Sequence, residues 1–296
     1  MQQESLFLNL SSVTALHLRH IWIQQGGPIV WMLHGAIENG KIFYTEQGKG
    51  LACFLAKAGY EVYVSDLGGR GRSSPPIHSR HTYSQTSAIC QELPAVHNWL
   101  RQRHPKQPQV WIAHSWGGVL FFALMARQML NAQPKAVVCF GTKRSVLVKN
   151  FDRLILIEAV WKRFAYFLSA LYGYLPARAW KFGSDNESSL SHHQSVCWVK
   201  AGPWIDPEDQ FDYGQALKEI DLPPALFLTG VKDRCLGHGE DVQRFIAELA
   251  HPGAEFHLIG KQGGYKHDYD HIDLLTHQDA PADHFKFVLR WLAAQV

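Results

Sequence analysis

Apolar residues gather along this chain in short runs, and the stretches between them carry helical spacing. The runs 29–33, 110–113 and 136–140 are apolar throughout. A strand with no polar side has both faces buried, the pattern of central strands in a parallel sheet. The runs 61–65, 225–229 and 255–259 read as further strands. At the start, 5–10 and 15–23 read as an antiparallel pair joined at Ser11-Ser12. Between strands, 48–58, 84–103, 119–130, 240–249 and 282–294 read as helices. Gly59 caps the first, and Pro94 kinks or splits the second. Strands alternating with helices predict an α/β fold, a doubly wound and mostly parallel eight-stranded sheet. Ligands of such sheets bind outside the carboxyl ends of the strands. His34-Gly35, Asp66, Ser115 and Asp233 all follow predicted strands at that edge.

The alternation stops between residues 146 and 221, which read as several helices, one of them 151–171. The stretch is dense in Trp, Tyr and Phe. We read it as a helical cap inserted into a core domain made of 1–145 and 222–296. Its aromatics offer an apolar wall above the carboxyl edge, with Trp161, Phe164 and Trp204 as candidate substrate-binding residues. The remaining aromatics serve to pack the insertion onto the sheet.

Composition narrows the function classes. A chain of 296 residues is long enough for a large core. A formal charge of +3, with Lys and Arg scattered, points away from nucleic acid. Five Cys, with no pair at metal-site spacing, suggest a reducing compartment. The start Met1-Gln2-Gln3-Glu4 lacks the basic head and long apolar core of a signal peptide. No apolar stretch approaches the ~20 residues needed to span a bilayer. The expectation is a soluble cytoplasmic protein with no integral membrane segment, no cofactor and no metal, acting on a small molecule.

The candidate chemistry sits in Gln109-Val110-Trp111-Ile112-Ala113-His114-Ser115-Trp116-Gly117-Gly118. A buried strand, one Ser, two Gly and an apolar helix form a strand–turn–helix joint of the type small-x-Ser-x-Gly. The tight turn demands small residues two before and two after the Ser, met by Ala113 and Gly117. It lifts the Ser115 hydroxyl to the N-terminus of a helix, where negative charge is favoured. A Ser hydroxyl needs a base to take its proton, and the base needs a carboxylate to orient it. Seventeen His residues compete for that part.

Together with His34-Gly35, Asp66-x-x-Gly69-x-Gly71-x-Ser73, an acid after a late strand and a late His, the joint resembles the α/β-hydrolase superfamily over nearly the whole chain. The last third is most similar to its acid-lipase branch, in Leu226-Phe227-Leu228-Thr229-Gly230-Val231-Lys232-Asp233, Tyr269-Asp270-His271-Ile272-Asp273-Leu274 and Asp279-Ala280-Pro281. Gly68 departs from the Arg or Pro common in the Asp66 loop. The resemblance implies His271 as base, with His267 the nearest rival. His17, His20, His78, His81, His114, His192, His193 and His257 lie elsewhere in the pattern, and His277 and His284 read as surface or capping residues. No carboxylate follows the strand 136–140, and the next strand reaches Asp233, favoured as the acid over Glu240, Asp241 and Asp273. The resemblance also implies an oxyanion hole from the N–H groups of Ala36 and Trp116, with His34 bracing its loop.

The expected function is a serine hydrolase acting on a carboxylic ester with an apolar acyl group, through an acyl-enzyme on Ser115. A thioesterase or acyltransferase would use the same residues. A metal-dependent hydrolase around His267-Asp268-x-Asp270-His271 lacks a framing ligand motif. A non-catalytic binding protein on this fold would have lost one of the three residues.

Overall fold

The computed structural model describes residues 1–78 and 83–296. The chain enters its sheet through an antiparallel pair, β1 (Gln2–Asn9) and β2 (Ala15–Trp22), with Leu6 opposite Leu18. β3 (Ile29–Leu33) follows, then α1 (Leu51–Lys57), which ends near Gly59, and β4 (Glu61–Ser65). The helical stretch after it changes register without breaking at Pro94. Ser84 caps it by accepting from Ser87 N, Ala88–Glu92 forms a wide π turn, and α2 (Leu93–Arg103) continues. Pro94 sits in the first turn of α2, where a missing N–H costs least.

β5 (Gln109–His114) leads into α3 (Trp116–Ala126), all of whose residues are buried. The helix begins three residues earlier than its apolar run suggests, because Gly117 and Gly118 are helical here. β6 (Ala136–Phe140) is the last strand before the rhythm breaks. A helical rod then runs from an α turn, Phe151–Arg153, through a π-register stretch, Leu154–Phe164, into α4 (Ala165–Tyr172). Asn150 caps its start by accepting from Arg153 N, and Gly173 at φ 77° ends it in the left-handed region glycine adopts without penalty. Two short strands, Tyr174–Leu175 and Glu187–Ser188, pair before α5 (Ser189–Trp198). The chain rejoins the sheet at β7 (Ala225–Gly230), then α6 (Gly239–Glu248), β8 (Ala254–Ile259) and α7 (His284–Ala293).

The order across the sheet is β1-β2-β4-β3-β5-β6-β7-β8, and every pair from β4 onward is parallel. This is the doubly wound, mostly parallel eight-stranded sheet that the hydrophobic pattern predicts. Side chains along β3 alternate between its faces. Trp31 and Leu33 join one core layer with Trp111, Phe121 and Phe227, while Val30 and Met32 join the other with Phe43, Val62 and Phe285. Both layers are buried, which is why β3 has no polar side. From β3 the chain steps outward to β4, then crosses to β5 on the other side. The loops after β3 and β5 therefore diverge, and a crevice opens between them.

Buried polar ties fasten residues 146–221 to this core. Arg70 pairs with Glu187, Gln194 Oε1 accepts from Gln85 N, and Arg127 reaches Asp206 at 3.0 Å. Asp206 also accepts from the Thr86 hydroxyl at 2.8 Å and from Tyr213 at 2.6 Å. Among the described residues no helix is long and apolar enough to cross a membrane.

Candidate active site

Ser115 stands alone between strand and helix at φ 50° and ψ −118°, a backbone conformation costing about 1–3 kcal/mol for a residue with a Cβ. The surroundings hold it there. Its N–H donates to Phe140 O at 2.7 Å. A methyl group on Gly117 would come within 2.5 Å of Leu33 O and 2.6 Å of His34 O. The helix after Ser115 therefore packs against the end of β3 only because position 117 has no side chain. Gly35 is constrained in the same way, since a Cβ there would lie 2.9 Å from Ser115 Cβ.

β7 ends at Gly230 and turns through Asp233, while the loop after β8 brings His271 to meet it. His271 Nδ1 and Asp233 Oδ2 are 2.5 Å apart. The other carboxylate oxygen, Oδ1, accepts from Gly237 N at 2.8 Å. Burial alone would raise the Asp233 pKa, but the His271 contact and the Gly237 N–H hold it below the usual carboxylate value. Burial pushes the His271 imidazole below its ordinary 6.5, against the pull of Asp233. The pair rests as a carboxylate beside a neutral imidazole. Position 141 must be glycine, because a Cβ would lie 2.8 Å from the His271 ring.

A second histidine–acid pair, Glu38 and His114, lies against the first, with Glu38 lining the same cavity as Ser115 and His271, and sequence reasoning missed it. The His114 side chain turns away from Ser115, with Nδ1 2.8 Å from Glu38 Oε2 and Nε2 3.1 Å from the His271 carbonyl. A carbonyl only accepts, so Nε2 carries a proton. Burial opposes a charge on His114, yet Glu38 raises its pKa above the ordinary value. Burial would also raise Glu38, but His114 holds it at about 2. The ring is an imidazolium facing a carboxylate on one side and a carbonyl on the other. Glu38 Oε2 also accepts from Gly35 N at 2.9 Å. One ion pair thus ties the loop after β3, the end of β5 and the backbone of His271. Its only sequence signal is a His next to the Ser and a carboxylate four residues after His34.

The two flanking loops are pinned by side chains. His34 Nδ1 donates to Gly35 O at 2.8 Å, and its Nε2 accepts from Leu67 N at 3.1 Å, which fixes the tautomer and joins the loops after β3 and β4. Asp66 accepts from Gly40 N at 2.7 Å and Arg72 N at 3.0 Å, with His17 Nδ1 2.7 Å away. Gly68 fits because Glu92 Oε2 accepts from its N–H at 2.7 Å, and a Cβ would fall 2.6 Å from Glu92 Oε1.

Ser115 and His271 open onto one cavity of about 770 Å³, within the range of small-molecule sites. Ala36 and Trp116 line it beside them, and among the described residues no acceptor takes either backbone N–H. Asp233 sits behind His271 and does not reach the cavity. Residues 146–221 supply much of the far wall, including Leu156, Ile157, Val160, Trp161 and Phe182. Lys143, Arg72 and Asp185 add polar points.

Of the three aromatics expected at the pocket, the structure brings only Trp161 there. Trp204 is fully buried elsewhere, packed among Trp198, Tyr213 and Phe245 on the sheet-side core. Phe164 faces outward from the helical rod, edge-on to Trp180. Sequence density marks an aromatic segment but not which way each ring points. His267 faces Asp279 at 2.7 Å, in a partly buried group with His277 whose ligand atoms lie within 4.8 Å of one another. His192 contacts Trp161 O and His257 packs on Phe287. His81 lies outside the described residues.

The sequence profile of the alpha/beta hydrolase fold matches residues 28–263. A search of curated proteins finds no significant match. Among solved structures, the chain is similar to the bromoperoxidase from Bacillus anthracis, with 17% identity over 98% of this chain and 100% of that one and a TM-score of 0.64. It is similar to the carboxylesterase CesB (YbfK) from Bacillus subtilis, with 15% identity over 100% of this chain and 93% of that one and a TM-score of 0.60. A thioesterase domain from the curacin biosynthetic pathway matches at 19% identity over 98% of this chain and 100% of that one, with a TM-score of 0.59. These likenesses show a shared fold that carries several chemistries. With the profile spanning most of its length, the chain belongs to the alpha/beta hydrolase family.

Proposed function

We propose that the protein is a serine hydrolase that cleaves a carboxylic ester with an apolar acyl group. The observation that carries this reading is the meeting of a strained Ser115 and a neutral, Asp233-oriented His271 on one apolar-walled cavity. Because Nδ1 of His271 is engaged by Asp233, Nε2 is left to take the Ser115 proton. Ser115 Oγ attacks the ester carbonyl, and the oxygen that gains charge is stabilised by the N–H groups of Ala36 and Trp116 and by the N-terminus of α3. The imidazolium then protonates the departing alcohol. Water, deprotonated in turn by His271, releases the acid and restores Ser115. Asp233 keeps the imidazole in the tautomer that both steps need.

We read residues 146–221 as a cap over a core of 1–145 and 222–296. Its contribution to the cavity wall supports an acyl chain bound against Leu156, Ile157, Val160 and Trp161 while water is excluded from the reacting carbonyl. The five cysteines are unpaired, which supports a reducing, cytoplasmic setting. The test is a panel of nitrophenyl esters of graded acyl length, with thioesters and amides alongside. Efficiency should rise with chain length until the cavity is filled, by up to ~0.8 kcal/mol of binding per buried methylene. Ser115→Ala should remove hydrolysis and keep the fold. A profile indifferent to acyl length, or full activity in Ser115→Ala, contradicts the reading. Faster turnover of thioesters would move the substrate class.

A further inference from the structure

We infer that the outer face of the helical rod 151–172 is a docking surface for an anionic lipid bilayer. A folded chain normally scatters its exposed large apolar residues. Here they collect on one element. Phe151, Leu154, Phe167 and Leu171 are 70%, 56%, 61% and 64% exposed. Ile155 and Tyr166 extend the same surface, while the rod's inner edge is held by Ile157, Ala165 and Leu168. Trp180 and Tyr172, each close to half exposed, add aromatic rings with polar tips, which suit the level of lipid headgroups.

Charge selects the occupant. Residues 149–181 hold six basic side chains against Asp152 and Glu158, a net +4, while the whole chain carries +3. Glu158 is already taken by Arg153 and Lys162 at 2.8 and 2.7 Å. Among the described residues Lys149, Arg163, Arg178 and Lys181 form no ion pair. Arg163 lies on the rod, Lys149 just before it, and Arg178, which also lines the cavity, and Lys181 just after it, all four exposed. An apolar face with such cations along its length and at its ends has the composition of a helix that lies in the headgroup region of an anionic membrane. A second copy of the chain fits less well, because a two-fold contact would press two such positive faces together.

The surface is continuous with the cavity. Leu156 is exposed on the rod and also lines the space above Ser115, and Ile157, Val160 and Trp161 line it from the next turns. Docking would set the mouth of an apolar cavity against the phase in which apolar esters dissolve. That purpose rests on the proposed ester hydrolysis, whereas the surface itself does not.

The test uses full-length Ser115→Ala protein, so that no lipid is consumed, floated with vesicles of phosphatidylcholine alone or with about a third phosphatidylglycerol. The protein should float with the anionic vesicles and less so at high salt. Phe167→Glu with Leu171→Glu should lower partitioning at least about ten-fold. In the Ser115 parent the same pair should leave the melting temperature and hydrolysis of a short soluble ester unchanged. Arg163→Glu with Lys181→Glu should remove the preference for anionic over neutral vesicles. Failure of the parent protein to float with anionic vesicles, or equal flotation of the Phe167/Leu171 variant, overturns the inference. So does a parent that shuns vesicles but forms a dimer dispersed by those substitutions, which assigns the face to a second copy. Loss of ester hydrolysis in every assay would leave the flotation result intact and strike only the proposed reaction.

Discussion

Ser115 and His114 are neighbours in sequence and turn opposite ways, one to the cavity and one to Glu38. That divergence sets the expectations for single residues. In the proposed reaction His271 acts as base in its neutral form, and burial holds its pKa below 6.5. As pH falls, activity should therefore persist below 6.5 and fail only where His271 takes up a proton, measured as the acid limb of kcat/KM. Lys143 is a nearby cation that lowers the His271 pKa. Lys143→Met should move the limb toward higher pH, and an unmoved limb would remove Lys143 from the electrostatics. His271→Ala should reduce kcat on the order of 10⁴-fold or more, as residues acting as a unit do. His267→Ala should cost far less, since His267 faces Asp279 instead. Glu38→Ala leaves the buried His114 without its counter-ion, so it should lower stability by about 3–5 kcal/mol in denaturant titration. Ser115 and Asp233 stand out as candidates in sequence because each follows a predicted strand at one sheet edge, and His271 only through the resemblance to a family with a late His. The Glu38–His114 pair does not, since nothing in the sequence says which way a side chain beside a tight turn points.

The short elements differ in how much their sequence reveals. β3, β5 and β6 announce themselves because both faces are buried and the run has no polar position. The start of α3 was hidden by two glycines that are poor helix formers. They are present because the end of β3 and Thr142 leave no room for a side chain. Gly117→Ala should therefore disrupt the joint itself. Displacement of α3 or the end of β3 should cost several-fold more in activity than a Gly→Ala change on an open helix face, where the effect is about 1 kcal/mol of stabilisation. Normal kinetics in Gly117→Ala would show that the carbonyls of Leu33 and His34 yield easily. The sequence reads 151–171 as one helix, and the chain forms one continuous helical rod over 151–172. Its π-register middle shifts the faces of the side chains, so periodicity could not separate Trp161, which lines the cavity, from Phe164, which faces outward.

For the whole molecule, the crossing from β4 past β3 to β5 opens the crevice, and residues between β6 and β7 line the cavity there. The order of strands and helices was legible because alternation survives on both sides of 146–221. How that segment packs was not, because its aromatics divide between core, cavity and outer surface. Two substitutions separate those roles. Trp204→Ala empties a core site among Trp198, Tyr213 and Phe245, and should cost about 3–5 kcal/mol of stability without moving the acyl-length optimum. Trp161→Ala should do the reverse, shifting the optimum toward longer chains with a smaller stability loss. The central claim is a covalent acyl-enzyme on Ser115, and it is tested most directly by mass spectrometry after treatment with a fluorophosphonate. One adduct per chain is expected on the peptide that carries Ser115, suppressed when a non-hydrolysable analogue of a long-chain ester fills the cavity first. An adduct on another residue, or none on folded protein, would contradict it.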